Sequence, residues 1–170
     1  MIILVINCGS SSIKYQLLDM KSDEVYDVLA KGIVEKIGLE MGRLQHTATG
    51  KEKVVKDLPV PDHKVGMKLV LDALTDGEHG VLKSLDDIEA VGHRIVHGGE
   101  YFSSSALVNE DVMKKIEICC DFAPLHNPAH ILGIRSYRRS EPPGCSGSAC
   151  APYRAFSSRT MSCTAVFPSH

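Results

Sequence analysis

Residues 7–14 form the segment whose side chains have the most evident chemical use. They read Asn-Cys-Gly-Ser-Ser-Ser-Ile-Lys and directly follow an apolar run at residues 2–6. An apolar run, a polar turn and a return to alternating residues predict a β-hairpin. The turn offers serine hydroxyl and amide donors, Lys14 adds a positive charge, and Gly9 is expected to turn the chain at positive φ. These groups suit an anion such as a phosphate.

The residues of this turn, taken alone, allow two interpretations. In the first, Ser10, Ser11 and Ser12 line a phosphate site, and the amide oxygen of Asn7 faces a hard cation or a water bound to one. In the second, the segment is an ordinary hairpin turn rich in glycine and serine. A lone Gly-Ser-Ser-Ser fits both equally well.

Two further positions carry side chains suited to an acid or a phosphate. Arg94 stands near the end of a strand, just before a double glycine, and its planar guanidinium can bind a carboxylate or a phosphate. His126 directly precedes a predicted helix, whose amino terminus favours anions. A structural ion pair for Arg94 and a hydrogen bond within its own turn for His126 are the alternatives. His93 and His97 lie near each other around Arg94, as metal ligands often do, but structural roles are favoured for them.

Three segments together, in this order and at these distances, resemble the amino-terminal part of the acetokinase family of acyl kinases: residues 7–14, 92–100 and 123–129. The connecting stretches 28–38 and 130–134 are also similar to that family, and the resemblance ends at residue 134. It implies an α/β fold. More specifically, it implies part of an actin-like nucleotide-binding domain, as in the acetate and sugar kinase/actin superfamily, with a sheet flanked by helices.

The resemblance also implies an activity, namely transfer of the γ-phosphoryl group of ATP to a short-chain carboxylate such as acetate, with Mg²⁺. Arg94 would bind the acid, with Val96 and Leu125 beside its alkyl group. His126 would be a catalytic residue that holds the transferring phosphoryl group. The nucleotide phosphates would contact Ser10–Ser12 and Lys14, and the magnesium shell Asn7. Full-length members are expected to be homodimers.

The composition changes after residue 134. Residues 1–134 contain twelve Lys, two Arg and twenty acidic residues, whereas residues 135–170 contain five Arg, no Lys and one acidic residue. The second part also lacks a sustained helical or strand period, so it is expected to be a disordered or frameshifted tail, with natural divergence as the alternative. Other catalytic groups of the family would lie beyond the resemblance. The chain is therefore expected to be a catalytically impaired fragment that is prone to self-association.

The overall composition excludes several classes of protein. A hydrophobic content of 44% with 24% charged residues is typical of one globular domain. The formal net charge of −2 gives no basis for a nucleic-acid partner. The first apolar run is too short for a signal sequence or a membrane span, so a cytoplasmic protein without a membrane partner is expected. Its cysteines are expected to be reduced.

The periodicity predicts the elements that must position these residues. Strands are expected at about 2–7, 12–19 and 25–37 as an antiparallel meander, followed by a hairpin over 43–60. Asp62, Asn109 and Asn127 are predicted helix caps, the last with Pro128 at the first helical position. A further strand over 86–97 is expected to be left as an exposed sheet edge.

Two hypotheses compete with the acyl kinase. One is a non-enzymatic module that binds phosphate or a nucleotide with the same loop, and it differs from the kinase only in turnover. The other is a small metal-binding protein centred on His and Cys residues, and the absence of a Cys-x-x-Cys pair argues against a structural zinc site in it.

Overall fold

The computed structural model describes residues 1–22, 24–102, 104–124, 126–140 and 153–157. The strands are β1 (Ile2–Cys8), β2 (Ser12–Met20), β3 (Tyr26–Glu35), β4 (Gly42–Ala48), β5 (Val54–Leu58), β6 (Ala90–Ile95), β7 (Ala106–Leu107) and β8 (Tyr153–Ser157). The helices are α1 (His63–Leu74), α2 (Glu110–Ile118) and α3 (Asn127–Ser140), with 3₁₀ turns at Leu85–Asp87 and Cys119–Asp121. Within the described residues the strands form one mixed sheet in the order β5-β4-β3-β2-β1-β6-β8-β7.

The first five strands form the predicted antiparallel meander. Each of β1 to β5 pairs with the next strand in the chain, and the pairing of β2 with β3 shifts register between Leu17 and Leu18. Alternation along β1 sends Leu4, Ile6 and Cys8 to one face of the sheet, where all three are buried. The strand and hairpin predictions are confirmed, with β3 ending at Glu35 rather than at residue 37.

The helices cover that face of the sheet. Asp62 caps α1 by accepting a hydrogen bond from the Val65 amide at 2.8 Å, and Asn109 caps α2 by accepting one from Val112 at 2.8 Å. The main core lies between these helices and the sheet, and includes the buried side chains of Leu4, Ile6, Ile13, Leu17, Met67, Leu74 and Ile134. A smaller cluster made of strand residues lies on the opposite face: Ile3, Leu18, Met20 and Ala90. No helix in the described part of the chain combines the length and apolar character that a membrane crossing needs.

The expectation of an exposed edge at residues 86–97 is wrong. β6 pairs in parallel with β1 on one side and with β8 on the other, from Val91↔Tyr153 to Ile95↔Ser157. β8 in turn pairs antiparallel with β7. Without a neighbour, β6 would leave its backbone N–H and C=O groups unpaired on one side, and Tyr153–Ser157 supplies the partners.

This pairing brings part of the compositionally distinct tail into the fold. α3 passes through residue 134 without a break and ends at Ser140, and β8 lies inside the sheet. The remaining tail residues, 141–152 and 158–170, lie outside the described residues. The predicted domain boundary at residue 134 and the predicted origin of the tail stay predictions. Self-association also stays a prediction, although the exposed edge of β6 that was expected to cause it is paired with β8.

Candidate phosphate and carboxylate site

The serine turn between β1 and β2 is held in shape by bonds to its backbone. The Gly9 amide donates to the Ser12 carbonyl at 2.7 Å, which closes the turn. From behind, His63 Nε2 donates to the Gly9 carbonyl at 2.7 Å and the Ile37 amide donates to the Ser11 carbonyl at 3.0 Å. Ser10 and Ser11 are exposed and Ser12 is half-buried. The turn therefore presents its serines to solvent on a fixed backbone.

The expected role of Gly9 in this turn needs a correction. Gly9 does not lie in the left-handed region, which among the described glycines holds Gly38, Gly50 and Gly99. A Cβ atom built at Gly9 would lie 3.1 Å from the Ser12 hydroxyl oxygen. Tight contact across the turn, rather than positive φ, is what makes a small residue suitable here.

Asn7, Lys14 and Arg94 lie on one face of the sheet, opposite the helices. Asn7 and Lys14 are direct cross-strand partners on β1 and β2. β1 and β6 run parallel with Val5 opposite Gly92, so Asn7 and Arg94 are two residues further along on the same face. Asn7 is half-buried, and Lys14 and Arg94 are exposed. The fold thus gathers three predicted site residues at the carboxyl ends of β1 and β6.

A groove of about 460 Å³ opens on the same face and contains Asn7 and Lys14. Lys31 and Lys53 also line it, and none of its described lining residues is acidic. Within the described residues none of these three lysines has a salt bridge. Lys31 and Lys53 were not among the residues predicted from the sequence. For Lys31 a signal was available in the alternation of β3, which places it on the face opposite the buried Ala30. A groove with this charge favours an anion.

The turn that contains His126 is connected to β6 through a buried histidine, His130. His126 is exposed and precedes α3, and its carbonyl accepts a bond from the His130 amide at 3.2 Å. Burial, and then the neighbouring Arg94 and His126, lower the pKa of His130 to about 4. The ring of His130 contacts that of His93, which directly precedes Arg94, so the first turn of α3 is joined to the end of β6. Within the described residues Arg94 has no salt bridge, which leaves its guanidinium available to a ligand.

A second buried histidine lies beneath Arg94. The Nδ1 atom of His93 donates to the Arg94 carbonyl at 2.8 Å, and its ring meets that of His130 edge to face at 5.4 Å. Burial, and then the neighbouring His130, lower the pKa of His93 to about 3. Both imidazoles are therefore neutral at pH 7. α3 packs against this histidine layer, formed by His93 and His130, through Gly133, where a Cβ atom would overlap Cys8 Sγ and lie 2.7 Å from His93 Nε2.

The predicted capping role of Asn127 is not what the structure shows. Its side chain is 0% exposed and turns away from its own helix. Asn127 Nδ2 donates to the carbonyls of His97 at 2.9 Å and Cys119 at 3.2 Å, and Asn127 Oδ1 accepts from the His97 amide at 3.3 Å. Tertiary bonds to two neighbouring segments replace the local bond to the helix.

Two of the remaining predicted positions, Val96 and His97, lie directly after β6. Val96 is half-buried directly after β6, whereas Leu125 lies outside the described residues. His97 Nδ1 accepts from the Gly99 amide at 3.0 Å, and its ring stacks on Phe122 at 5.3 Å. Among the described residues no three His, Cys, Asp or Glu side chains gather as a metal site. The amide oxygen of Asn7 is nevertheless a hard donor of the type that Mg²⁺ accepts, beside a site suited to phosphates.

Comparison with known proteins gives a consistent result. The sequence model of the acetokinase family matches residues 2–155, and so extends past residue 134. The acetate kinase of Clostridium acetobutylicum is 57% identical over 139 residues, covering 82% of this chain and 34% of that protein. The acetate kinase of Natranaerobius thermophilus is 54% identical over 140 residues, with the same coverage. The chain thus spans about a third of the length of these curated relatives.

Solved structures show the same relationship. The acetate kinase of Porphyromonas gingivalis superposes with a TM-score of 0.82 at 41% identity, covering 92% of this chain and 37% of that one. A propionate kinase from Francisella tularensis gives a TM-score of 0.77 at 38% identity, covering 92% and 36%. The predicted actin-like α/β fold, of which the chain represents a part, is confirmed. With a match over residues 2–155, the chain belongs to the acetokinase family.

Proposed function

We propose that this protein is an acetate kinase, which transfers the γ-phosphoryl group of ATP to a short-chain carboxylate such as acetate. The observation that carries this proposal is the gathering of Asn7, Lys14 and Arg94 on one sheet face. The residue after His126, Asn127, is bonded to His97 on the loop that follows Arg94. The names of the matched relatives, acetate and propionate kinases, support the same reaction.

The reaction joins two negatively charged partners. A carboxylate oxygen forms a new bond to the γ-phosphorus, the bond to the bridging oxygen breaks, and ADP leaves. Because the nucleophile is already an anion, catalysis rests on positioning and on neutralising charge. Ser10–Ser12 and Lys14 would hold the nucleotide phosphates, with Lys31 and Lys53 extending the positive surface along the groove.

The acid would be bound on the other side of the transferred group. Arg94 can hold a carboxylate through two parallel hydrogen bonds, and its lack of a salt bridge among the described residues supports this role. His126, next to the amino terminus of α3, would donate to the equatorial oxygens of the phosphoryl group. Val96 and Leu125 would pack against the short alkyl chain of the acid.

Magnesium fits this arrangement as a cation bound mainly by the nucleotide. Asn7 offers one hard oxygen donor, and Mg²⁺ commonly keeps phosphate and water ligands for its other positions. When bound, the ion would offset the negative charge of the β- and γ-phosphates. Asn7 itself would orient that ion or one of its waters.

A cytoplasmic location, where ATP is available, fits this proposal, and the homodimer expected of full-length members remains part of it.

A second candidate function is a module that binds phosphate or a nucleotide without turnover. The three lysines in the groove favour it, because anion binding needs no further catalytic group.

Trapping of acyl phosphate with hydroxylamine, in the presence of ATP, Mg²⁺ and acetate, separates the two functions. Two proteins would be assayed: the 170-residue chain, and a chimera in which residues 1–134 replace the corresponding segment of the Clostridium acetobutylicum acetate kinase. We expect negligible turnover from the chain, which spans about a third of its relatives, and turnover of about 1–100 per second from the chimera. An inactive but folded chimera would favour the binding module.

A further inference from the structure

We infer that Asn127 is a positioning residue that fixes the distance between the acid-binding and phosphoryl-binding sides of the site. This inference rests on the proposed function, because it assigns Arg94 to one side and His126 to the other. Asn127 does not contact either ligand itself in this scheme. It acts through the backbone of His97 and through the turn that precedes α3.

The geometry places Asn127 at the junction of three segments. It directly follows His126, so its backbone sets where that side chain begins. Its side chain bonds to both the amide and the carbonyl of His97, which lies three residues after Arg94 on the loop that leaves β6. A third bond joins it to the Cys119 carbonyl at the end of α2. One side chain therefore connects the Arg94 strand, the His126 turn and α2.

Burial makes this connection stiff. The Asn127 side chain is 0% exposed, so water cannot replace a bond that is lost. The paired bonds to His97 also resist sliding of the loop, since both the donor and the acceptor of one residue are held. Catalysis by positioning depends on small distances. A shift of about 1 Å between the two sides would therefore weaken the binding of any ligand that contacts both of them.

Asn109 provides a matched control. It is also an asparagine at the start of a helix, but its side chain makes the local capping bond to the Val112 amide. If Asn127 served only to start α3, Asn127→Ala and Asn109→Ala would both lower stability and leave ligand binding alone. A positioning role predicts that only Asn127→Ala changes binding.

The test uses the isotopically labelled 170-residue chain and its Asn127→Ala and Asn109→Ala variants. Acetyl phosphate, which would reach both sides, and inorganic phosphate, which would contact one, are titrated separately, and the NMR signals of the Arg94 guanidinium and the His126 ring are followed. Amide exchange at His97 reports the bond to Asn127 without any ligand. Asn127→Ser, which is smaller but polar, replaces the alanine variant if the latter does not fold.

We expect faster exchange at His97 in the Asn127 variant alone. We also expect at least a tenfold rise in the dissociation constant of acetyl phosphate in the Asn127 variant, and less than a twofold change in the Asn109 variant. Equal binding by the wild type and the Asn127 variant would overturn the positioning role. If the wild type shows no shift with either ion, the proposed function fails instead, and with it the role built on it.

Discussion

Acidification tests the buried histidine layer beneath Arg94. His93 and His130 are 0% and 2% exposed, and their pKa values of about 3 and about 4 lie well below the value of about 6.5 for an exposed histidine. At pH 5 both rings remain neutral in the folded protein, whereas in the unfolded chain both bind a proton. The unfolded state therefore binds more protons, and the free energy of unfolding falls as the pH drops below about 6.5.

The size of this loss follows from the pKa values. Each pH unit between 6.5 and 5 contributes about 1.4 kcal/mol for each histidine, so the two together account for about 4 kcal/mol at pH 5 relative to pH 7. Domains of this size have a net stability of about 5–15 kcal/mol, so the loss is a large share of the total. It continues as the pH falls toward the folded pKa values of about 4 and about 3.

Urea unfolding followed by circular dichroism at pH 7 and pH 5 measures the effect. His130→Phe is the informative variant, because neither ring nitrogen of His130 has a hydrogen-bond partner among the described residues. We expect this variant to be no less stable than the wild type at pH 7 and to lose about half as much at pH 5. A wild-type loss below about 1 kcal/mol, or an unchanged loss in the variant, would refute the assignment of two buried neutral rings.

Two further changes test the packing around the site. Gly133→Ala should lower the free energy of unfolding, measured in urea, by about 1–3 kcal/mol, because the added methyl overlaps Cys8 Sγ. Gly77→Ala, whose methyl meets nothing within 4 Å, should lower it far less. Equal losses would contradict the close contact of α3 with β1. Tyr15→Phe should cost about 1–3 kcal/mol by removing the 2.6 Å bond to His46 Nδ1, and Tyr26→Phe, at a residue 53% exposed, less than about 0.5 kcal/mol. A Tyr15 variant as stable as the Tyr26 variant would mean that this bond contributes nothing.

Local signals in the sequence predicted the elements that local interactions control. Asp62 and Asn109 cap α1 and α2 as expected, because a capping bond joins residues only three apart in the chain. The meander was predictable for a similar reason, since its strands are connected by short turns. The face shared by Asn7 and Lys14 then follows from their pairing across the first hairpin.

Features that depend on distant residues were not predictable. Asn127 carries the same local cap signal as Asn109, but its bonds to His97 and Cys119 require the loop after β6 and the end of α2 to be in place. β8 joins the sheet through backbone pairing, which a composition rich in Arg, Ser and Pro does not indicate. Lys53, which directly precedes β5, reaches the groove only through the pairing of β5 with β4.

The most direct test of the proposed site is a comparison of two arginines in the acetate kinase chimera. Arg43 forms a surface ion pair with Asp57 and serves as the matched control for Arg94. With acetate varied in the hydroxylamine assay, we expect Arg94→Ala to lower kcat/KM by about 100-fold or more, and Arg43→Ala to change it less than twofold. Equal kcat/KM values for Arg94→Ala and the parent chimera would contradict the assignment of Arg94 to the carboxylate.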